Sequence, residues 1–423
     1  MLDQDGLNLW CGQHLVGFLW RNAQGQIGFG YAQEWLESPG RFALSRTVPL
    51  QTAEFLPEQA VAHRFFANLL PEGGAREQVV RDLKITNTDF DLLRAIGGEC
   101  AGAFTILRAE QEPQVKYDYY RLEPAELEQL VKRRGQPYSW AAHERPRLSL
   151  AGAQDKCPVL LRDGDYWLPK QESPSSHILK FELADYRNLP AYETFTSMLA
   201  RSVGLEAVNI SLQQVGKTRF ALIQRYDRVM EGECGIARLH QEDFCQALGV
   251  GHQKKYQEDG GPDFADCYRL LQLVSTEPAH DLLQLLDWQI FNVLAGNSDG
   301  HAKNLSLLYL PGGDVRLAPF YDLICTRAIE RIDFNLALSV GGQRNPGQLV
   351  TKNWADLAIE CGLQPRFVLA RVKQMATALP KQLARVRERF ETLYGAYPAL
   401  QRVEQVVQKQ CHLAAASLEL PFP

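Results

Sequence analysis

Residues 294–323, LAGNSDGHAKNLSLLYLPGGDVRLAPFYDL, end an apolar helix and then set three oxygen-bearing side chains at fixed intervals. Upstream, Leu282, Leu286, Ile290 and Leu294 recur at helical spacing and form a buried stripe. Gly296 stops that helix. Asp299 then falls on a loop anchored to the core, where a rigid scaffold can fix a reactive group. Asn304 follows five residues later, and Asp322 comes after the hairpin NLSLLYLPGGDVRLAPF. Taken alone, Asn-Ser-Asp and Asp-Gly are ordinary turn chemistry. The spacing carries more, because an Asp, an amide and a second Asp are donors that suit a magnesium ion at phosphates.

Asp299-x-x-x-x-Asn304 is the interval of kinase catalytic loops, in which the Asp accepts a hydroxyl proton and the Asn binds Mg²⁺. Tyr321-Asp322 then stands where kinases keep a metal-binding Asp. The matching upstream parts occur in kinase order. Ala151, Gly152, Ala153, Gln154, Asp155 and Lys156 form a small-residue loop opening onto a strand, so its backbone can approach phosphate. Lys180, inside HILKFE, has apolar neighbours on both sides and needs an anion to offset desolvation. Glu193, on the helix YETFTSMLARSVGL, is its expected mate, as in the kinase Lys–Glu pair. ALIQRYD ends a strand where a hinge would hold adenine by backbone groups of Gln224, Arg225 and Tyr226. The order predicts an α+β, protein-kinase-like two-lobed fold binding ATP and Mg²⁺.

Pattern divides the 423 residues into three regions. Residues 1–110 open with a strand meander to about residue 50, continue with the helices PEQAVAHRFFANLL, EGGAREQVVRDL and DFDLLRAIG, and close on the strand AGAFTILR, an N-terminal α/β subdomain. Residues 111–226 hold a connector and a β-rich nucleotide lobe, with an RDGD hairpin turn. Residues 227–423 are mainly helical and carry the catalytic loop. His177, His240 and His252 lack metal-ligand spacing and read as structural or surface residues.

Composition narrows the classes. A net charge of −5 argues against a protein that coats nucleic acid as a whole. The nine cysteines are scattered without a C-x-x-C, which argues against a zinc site or disulfide framework and fits a reducing compartment. MLDQDGLNLWCGQ carries acids where a signal peptide carries Lys or Arg, and no apolar run approaches a membrane span, so a cytoplasmic location is expected. Residues 366–402 hold eight Lys or Arg against Glu388 and Glu391, a basic stretch that could lie near DNA or simply be solvated.

The segments LSLAGAQDK, HILKFE, QEDFCQALG, KYQEDGGP, GNSDGHAKN and PFYDL, with RFFANLLPEGGAREQ and FDLLRAIGGECAGAFTI, resemble the HipA family over nearly the whole chain. That family comprises serine/threonine kinase toxins of bacterial toxin–antitoxin modules. The resemblance implies Asp299 as general base, Asn304 and Asp322 as Mg²⁺ ligands, and Lys180 on the ATP phosphates. It further implies residues 151–156 as the phosphate loop, and His301, Ala302, Lys303, Asn304, Tyr321 and Asp322 around the nucleotide. Ser149 matches the serine whose autophosphorylation silences family members. A helix-turn-helix antitoxin, operator DNA through it, and an aminoacyl-tRNA synthetase such as the glutamyl enzyme as substrate are implied partners. Asp155 stands where the family commonly has Glu, and Tyr-Asp-Leu replaces Asp-Phe-Gly. Two other readings stay open on the residues: a small-molecule phosphotransferase, and a non-catalytic partner of a DNA-binding protein.

Overall fold

The computed structural model describes residues 6–135, 155–183, 186–231 and 235–418. Ser149 and Ala151, Gly152, Ala153 and Gln154 of the expected phosphate loop lie outside them.

The first unit is a four-stranded antiparallel sheet built from β1 (Leu7–Cys11), β2 (His14–Arg21) and β3 (Ile27–Tyr31), closed by a later strand. Helices α1 (Gln33–Glu37), α2 (Val61–Ala67), α3 (Gly73–Leu83) and α4 (Asp89–Ile96) intervene before β4 (Phe104–Arg108). The sheet order is β3-β2-β1-β4, with β4 returning beside β1 so that Leu9 faces Ile106. Alternation of the strands sends Leu7, Leu9 and Phe29 into a core filled by Phe65, Phe66, Phe90 and Leu93 of α2 and α4.

The second unit opens with β5 (Tyr119–Arg121) and α5 (Pro124–Lys132), both within the expected connector. Strands β6 (Lys156–Arg162), β7 (Asp165–Pro169) and β8 (His177–Phe181) follow, then α6 (Leu189–Ser202), β9 (Ile210–Val215) and β10 (Thr218–Gln224). Together they make a six-stranded sheet in the order β5-β7-β6-β8-β10-β9. The turn between β6 and β7 places Asp163 at φ 52° and Gly164 at φ 84°, the paired left-handed residues of a type I′ turn.

The third unit starts with a hairpin, β11 (Arg228–Glu231) and β12 (Gly235–Arg238), and β13 (His240–Asp243). Next come α7 (Phe244–Leu248), α8 (Phe264–Val274) and the central α9 (Pro278–Ala295). Strand β14 (Ser306–Tyr309) pairs with β13 on one side and with β15 (Val315–Leu317) on the other, and α10 (Thr351–Glu360), α11 (Pro365–Tyr394) and α12 (Leu400–Ser417) complete the lobe. Trp288, Ile290 and Phe291 of α9, Trp354 of α10 and Phe390 of α11 are buried in one cluster. That cluster also takes Tyr192, Phe195 and Leu199 from α6, so this helix carries Glu193 to the sheet while packing its apolar face into the helical lobe. Phe195 meets Phe390 edge-on at 5.8 Å.

The basic stretch falls on α11 and the start of α12, and part of it is neutralised internally. Arg371 pairs with Asp287, Arg387 with Glu391 and Glu404, and Arg402 with Glu330, while Arg385 and Arg389 stay exposed. His240 is structural: it is buried with Nε2 2.9 Å from the Leu44 carbonyl, and burial pulls its pKa down to about 4. Among the described residues no helix is long and apolar enough to cross a membrane.

Candidate active site

Helix α9 ends at Gly296, whose φ of 73° is open to glycine at little cost. The chain then folds back on itself. Asn297 Nδ2 donates to Asn292 Oδ1 at 3.0 Å, and the Ser298 amide donates to Thr326 Oγ1 at 2.8 Å. The Asp299 amide donates to Asn297 Oδ1 at 3.1 Å, and Asn304 Nδ2 donates to the Asp299 carbonyl at 2.8 Å. The five-residue interval thus has a local cause: the Asn closes the loop that the Asp opens. The backbone of Asp299 is fixed at both sides, while its side chain is 51% exposed at the cleft mouth.

Lys180 lies on β8 with its ammonium buried between two carboxylates. It pairs with Glu193 Oε1 at 2.7 Å and is hydrogen-bonded to Asp322 Oδ1. Burial alone would pull the lysine pKa down, but Asp322 and Glu193 outweigh it and hold the group above its ordinary value. Burial likewise opposes ionisation of Asp322, and Lys180 and Lys156 overcome it, setting Asp322 at about 2. Glu193, deeper, is raised by burial with Lys180 only partly offsetting. Lys156 stands opposite Lys180 across β6 and β8, and desolvation brings it to about 8 against the pull of Asp322. Asp322 sits at φ 54°, a left-handed conformation that Asp tolerates better than most residues.

A cavity of about 400 Å³ runs between sheet and helical lobe, and these groups line it. Ile178, Val208 and Ile223 give it an apolar wall. Tyr226 and Tyr321 stack at 5.9 Å beside them, with Tyr321 Oη donating to the Lys303 carbonyl at 2.7 Å. The expected hinge is narrower than its three residues suggest. The Gln224 amide donates to the Asn209 carbonyl at 2.8 Å and the Arg225 amide to the Ser176 carbonyl at 3.0 Å. Arg225 turns its guanidinium away, into ion pairs with Glu99 and Asp227. An adenine in this cleft would meet the Tyr226 ring and the strand-end carbonyls, not those two N–H groups.

Two of the four residues expected at the nucleotide from 301 to 304 have other principal contacts. Ala302 is fully buried. Lys303 Nζ donates to the carbonyl and Oδ1 of Asn68 at 2.9 and 3.0 Å and pairs with Glu72 at 3.1 Å. His301 is buried with Nε2 3.9 Å from Asp299 Oδ1, and desolvation lowers its pKa.

Residues that the sequence did not single out complete the rim. Glu72, at the start of α3, also pairs with Lys255 at 2.8 Å, and Tyr256 Oη donates to Asp299 Oδ1 at 2.7 Å. Asp243 accepts from the Gln246 amide at 2.8 Å as the N-cap of α7 and lies 3.7 Å from Lys303. These link the first unit, the 252–261 loop and the 297–304 loop. Each lies in a segment that carried the family resemblance, Glu72 in RFFANLLPEGGAREQ, Asp243 in QEDFCQALG and Lys255 and Tyr256 in KYQEDGGP, but the sequence attached no role at the cleft to any of them.

As to a metal, no cluster of three or more His, Cys, Asp or Glu that could hold one occurs among the described residues. Mg²⁺ does not need such a cage: one carboxylate and one amide oxygen suffice when phosphate and water supply the rest. Asn304, with Nδ2 engaged, leaves Oδ1 as an acceptor, and Asp322 has a second oxygen beyond the one on Lys180. The donor set fits.

Comparison with known proteins agrees with this architecture. The HipA N-terminal domain family matches residues 7–107 and the HipA-like C-terminal domain family residues 148–383. A protein named as a kinase, Y4mE of Sinorhizobium fredii, is 35% identical over 394 residues, covering 92% of this chain and 93% of the relative. The serine/threonine-protein kinase toxin HipA of Shewanella oneidensis is 29% identical over 372 residues, covering 84% and 83%. The solved Shewanella oneidensis complex of HipA, HipB and operator DNA contains a chain that superposes with a TM-score of 0.83 at 25% identity, covering 98% of each. The fold is α+β and kinase-like, and this chain belongs to the HipA family of serine/threonine kinase toxins.

Proposed function

We propose that the protein transfers the γ-phosphoryl group of ATP to a serine or threonine hydroxyl of a protein, acting as a growth-arresting toxin. The observation that carries this reading is the convergence on one cavity of a half-exposed carboxylate, Asp299, and a buried lysine, Lys180, held between Glu193 and Asp322. Asp299 accepts the proton of the acceptor hydroxyl as its oxygen bonds to phosphorus and the bond to ADP breaks. Lys180, and Lys156 opposite it, offer positive charge to the triphosphate. Asn304 and Asp322 would hold Mg²⁺, which supplies charge neutralisation at the phosphates. Tyr226 and the apolar wall take the base.

The family and the extent of the match to the Shewanella chain support a helix-turn-helix antitoxin as partner, with operator DNA reached through it. Self-silencing by phosphorylation of Ser149 follows from the same likeness, since a dianion beside the phosphate loop would repel ATP.

Incubation with γ-labelled ATP and Mg²⁺, alone and with cell extract, tests the proposal. Label on Ser149 and on one extract protein, with an aminoacyl-tRNA synthetase such as the glutamyl enzyme foremost, is the expected result. Label transferred only to a small molecule would overturn it in favour of a small-molecule phosphotransferase. No transfer would leave a non-catalytic partner role.

A further inference from the structure

The backbone of Asp299 is clamped, but its carboxylate is not held by that clamp. Among the described residues the carboxylate has one hydrogen-bond donor, the Tyr256 hydroxyl at 2.7 Å; His301 Nε2, at 3.9 Å, is beyond hydrogen-bonding distance. A half-exposed carboxylate with no such donor would rotate among its wells and face an acceptor only part of the time.

Tyr256 is in turn well anchored for a loop residue. Its ring meets His301 edge-on at 5.0 Å, and Lys255 Nζ lies 5.4 Å from the ring centroid while pairing with Glu72. On its C-terminal side, Gln257 Oε1 accepts from the Ser339 amide at 2.7 Å and Glu258 pairs with Arg344 at 2.5 Å. The loop closes on Gly261, where a Cβ would fall 1.9 Å from the Lys254 carbonyl oxygen, so no other residue fits without moving the turn. The fold thus fixes a phenol against the proposed base from a segment 43 residues away in the chain.

We propose that Tyr256 is a positioning residue: its hydroxyl holds Oδ1 of Asp299 so that Oδ2 faces the acceptor hydroxyl. This rests on Asp299 being the proton acceptor. It is the base-and-orienter arrangement of nucleophile activation, with a phenol as orienter.

Tyr256→Phe keeps the ring and removes only the hydroxyl. In the full-length protein with Mg²⁺ and ATP it should lower kcat by about tenfold to a hundredfold, with the KM for ATP and the melting temperature unchanged. Added to Asp299→Asn, it should cost nothing further, since the group it orients is already disabled. If Asp299→Asn is crippled while Tyr256→Phe turns over normally or faster, or if the two losses multiply, Tyr256 does not act through Asp299 and this inference is overturned while the base stands. If Asp299→Asn itself turns over normally, the base assignment fails and the positioning role falls with it.

Discussion

Asp299, Lys180 and Asp322 are three carboxylate or ammonium groups whose environments assign them different work. Asp299 is wet and aimed outward, Lys180 is buried and doubly paired, and Asp322 bridges the two conditions. Replacing Asp299 by Asn should lower steady-state ADP release by about 10²–10⁴ through lost proton transfer. Asp322→Ala should cost more, because positioning and charge neutralisation carry most of phosphoryl transfer. Lys156 gives the pH dependence. Its pKa of about 8 lies below the ordinary lysine value, so above pH 8 the unliganded site loses a positive charge that phosphate would favour. Nucleotide affinity, followed by fluorescence titration from pH 6.5 to 9.5, should therefore weaken as pH rises past 8, and Lys156→Gln should flatten the curve. At this scale the sequence was informative where spacing is local. Asp299 and Asn304 touch through one loop, and a Lys in an apolar strand asks for a partner. Lys303 shows the limit: the resemblance implied a place at the nucleotide, and nothing in the sequence indicated that its ammonium would meet Asn68, 235 residues away, at the cavity wall.

Among elements, those marked by their own turn chemistry were legible. The Asp163-Gly164 hairpin, the stop of α9 at Gly296 and helices α2, α3 and α4 of the first unit follow from composition and period, whereas the short α1 falls in a stretch that reads as strands. The docking of α3 on the 297–304 loop was not legible, since Glu72 meets Lys255 and Lys303 only once the chain has folded. Burial works against the Glu72 carboxylate, yet the two lysines bring its pKa down to about 2, below its ordinary 4.5. A depressed folded-state pKa stabilises above the unfolded value and is lost as pH falls through the folded one. Glu72→Gln should thus lower the urea midpoint at pH 6, and the gap from the native protein should close between pH 4.5 and 2.

For the whole molecule, the seam between the first unit and the 225–238 segment is ionic and buried. Glu99 is fully buried and meets Arg225 at 2.8 Å, Arg228 at 3.1 Å and Arg238 at 2.7 Å. Asp227 takes Arg225, Arg228 and the Gly102 amide. Removing one member leaves buried charge uncompensated, at about 3–5 kcal/mol. Glu99→Gln should cost that much in equilibrium urea unfolding, whereas Glu231, exposed on β11, should tolerate Gln within about 0.5 kcal/mol. The two-lobed outline was readable from the order of motifs, but not this seam, because Arg225 after β10 and Arg228 and Arg238 on the β11–β12 hairpin carry no period. Helix α6 has a last implication. Its Tyr192, Phe195 and Leu199 are buried against the helical lobe, and exposing each would cost roughly 1.5–3 kcal/mol. An on–off control that swings the glutamate-bearing helix outward would have to expose all three, so this molecule favours a throttle that leaves the helix in place.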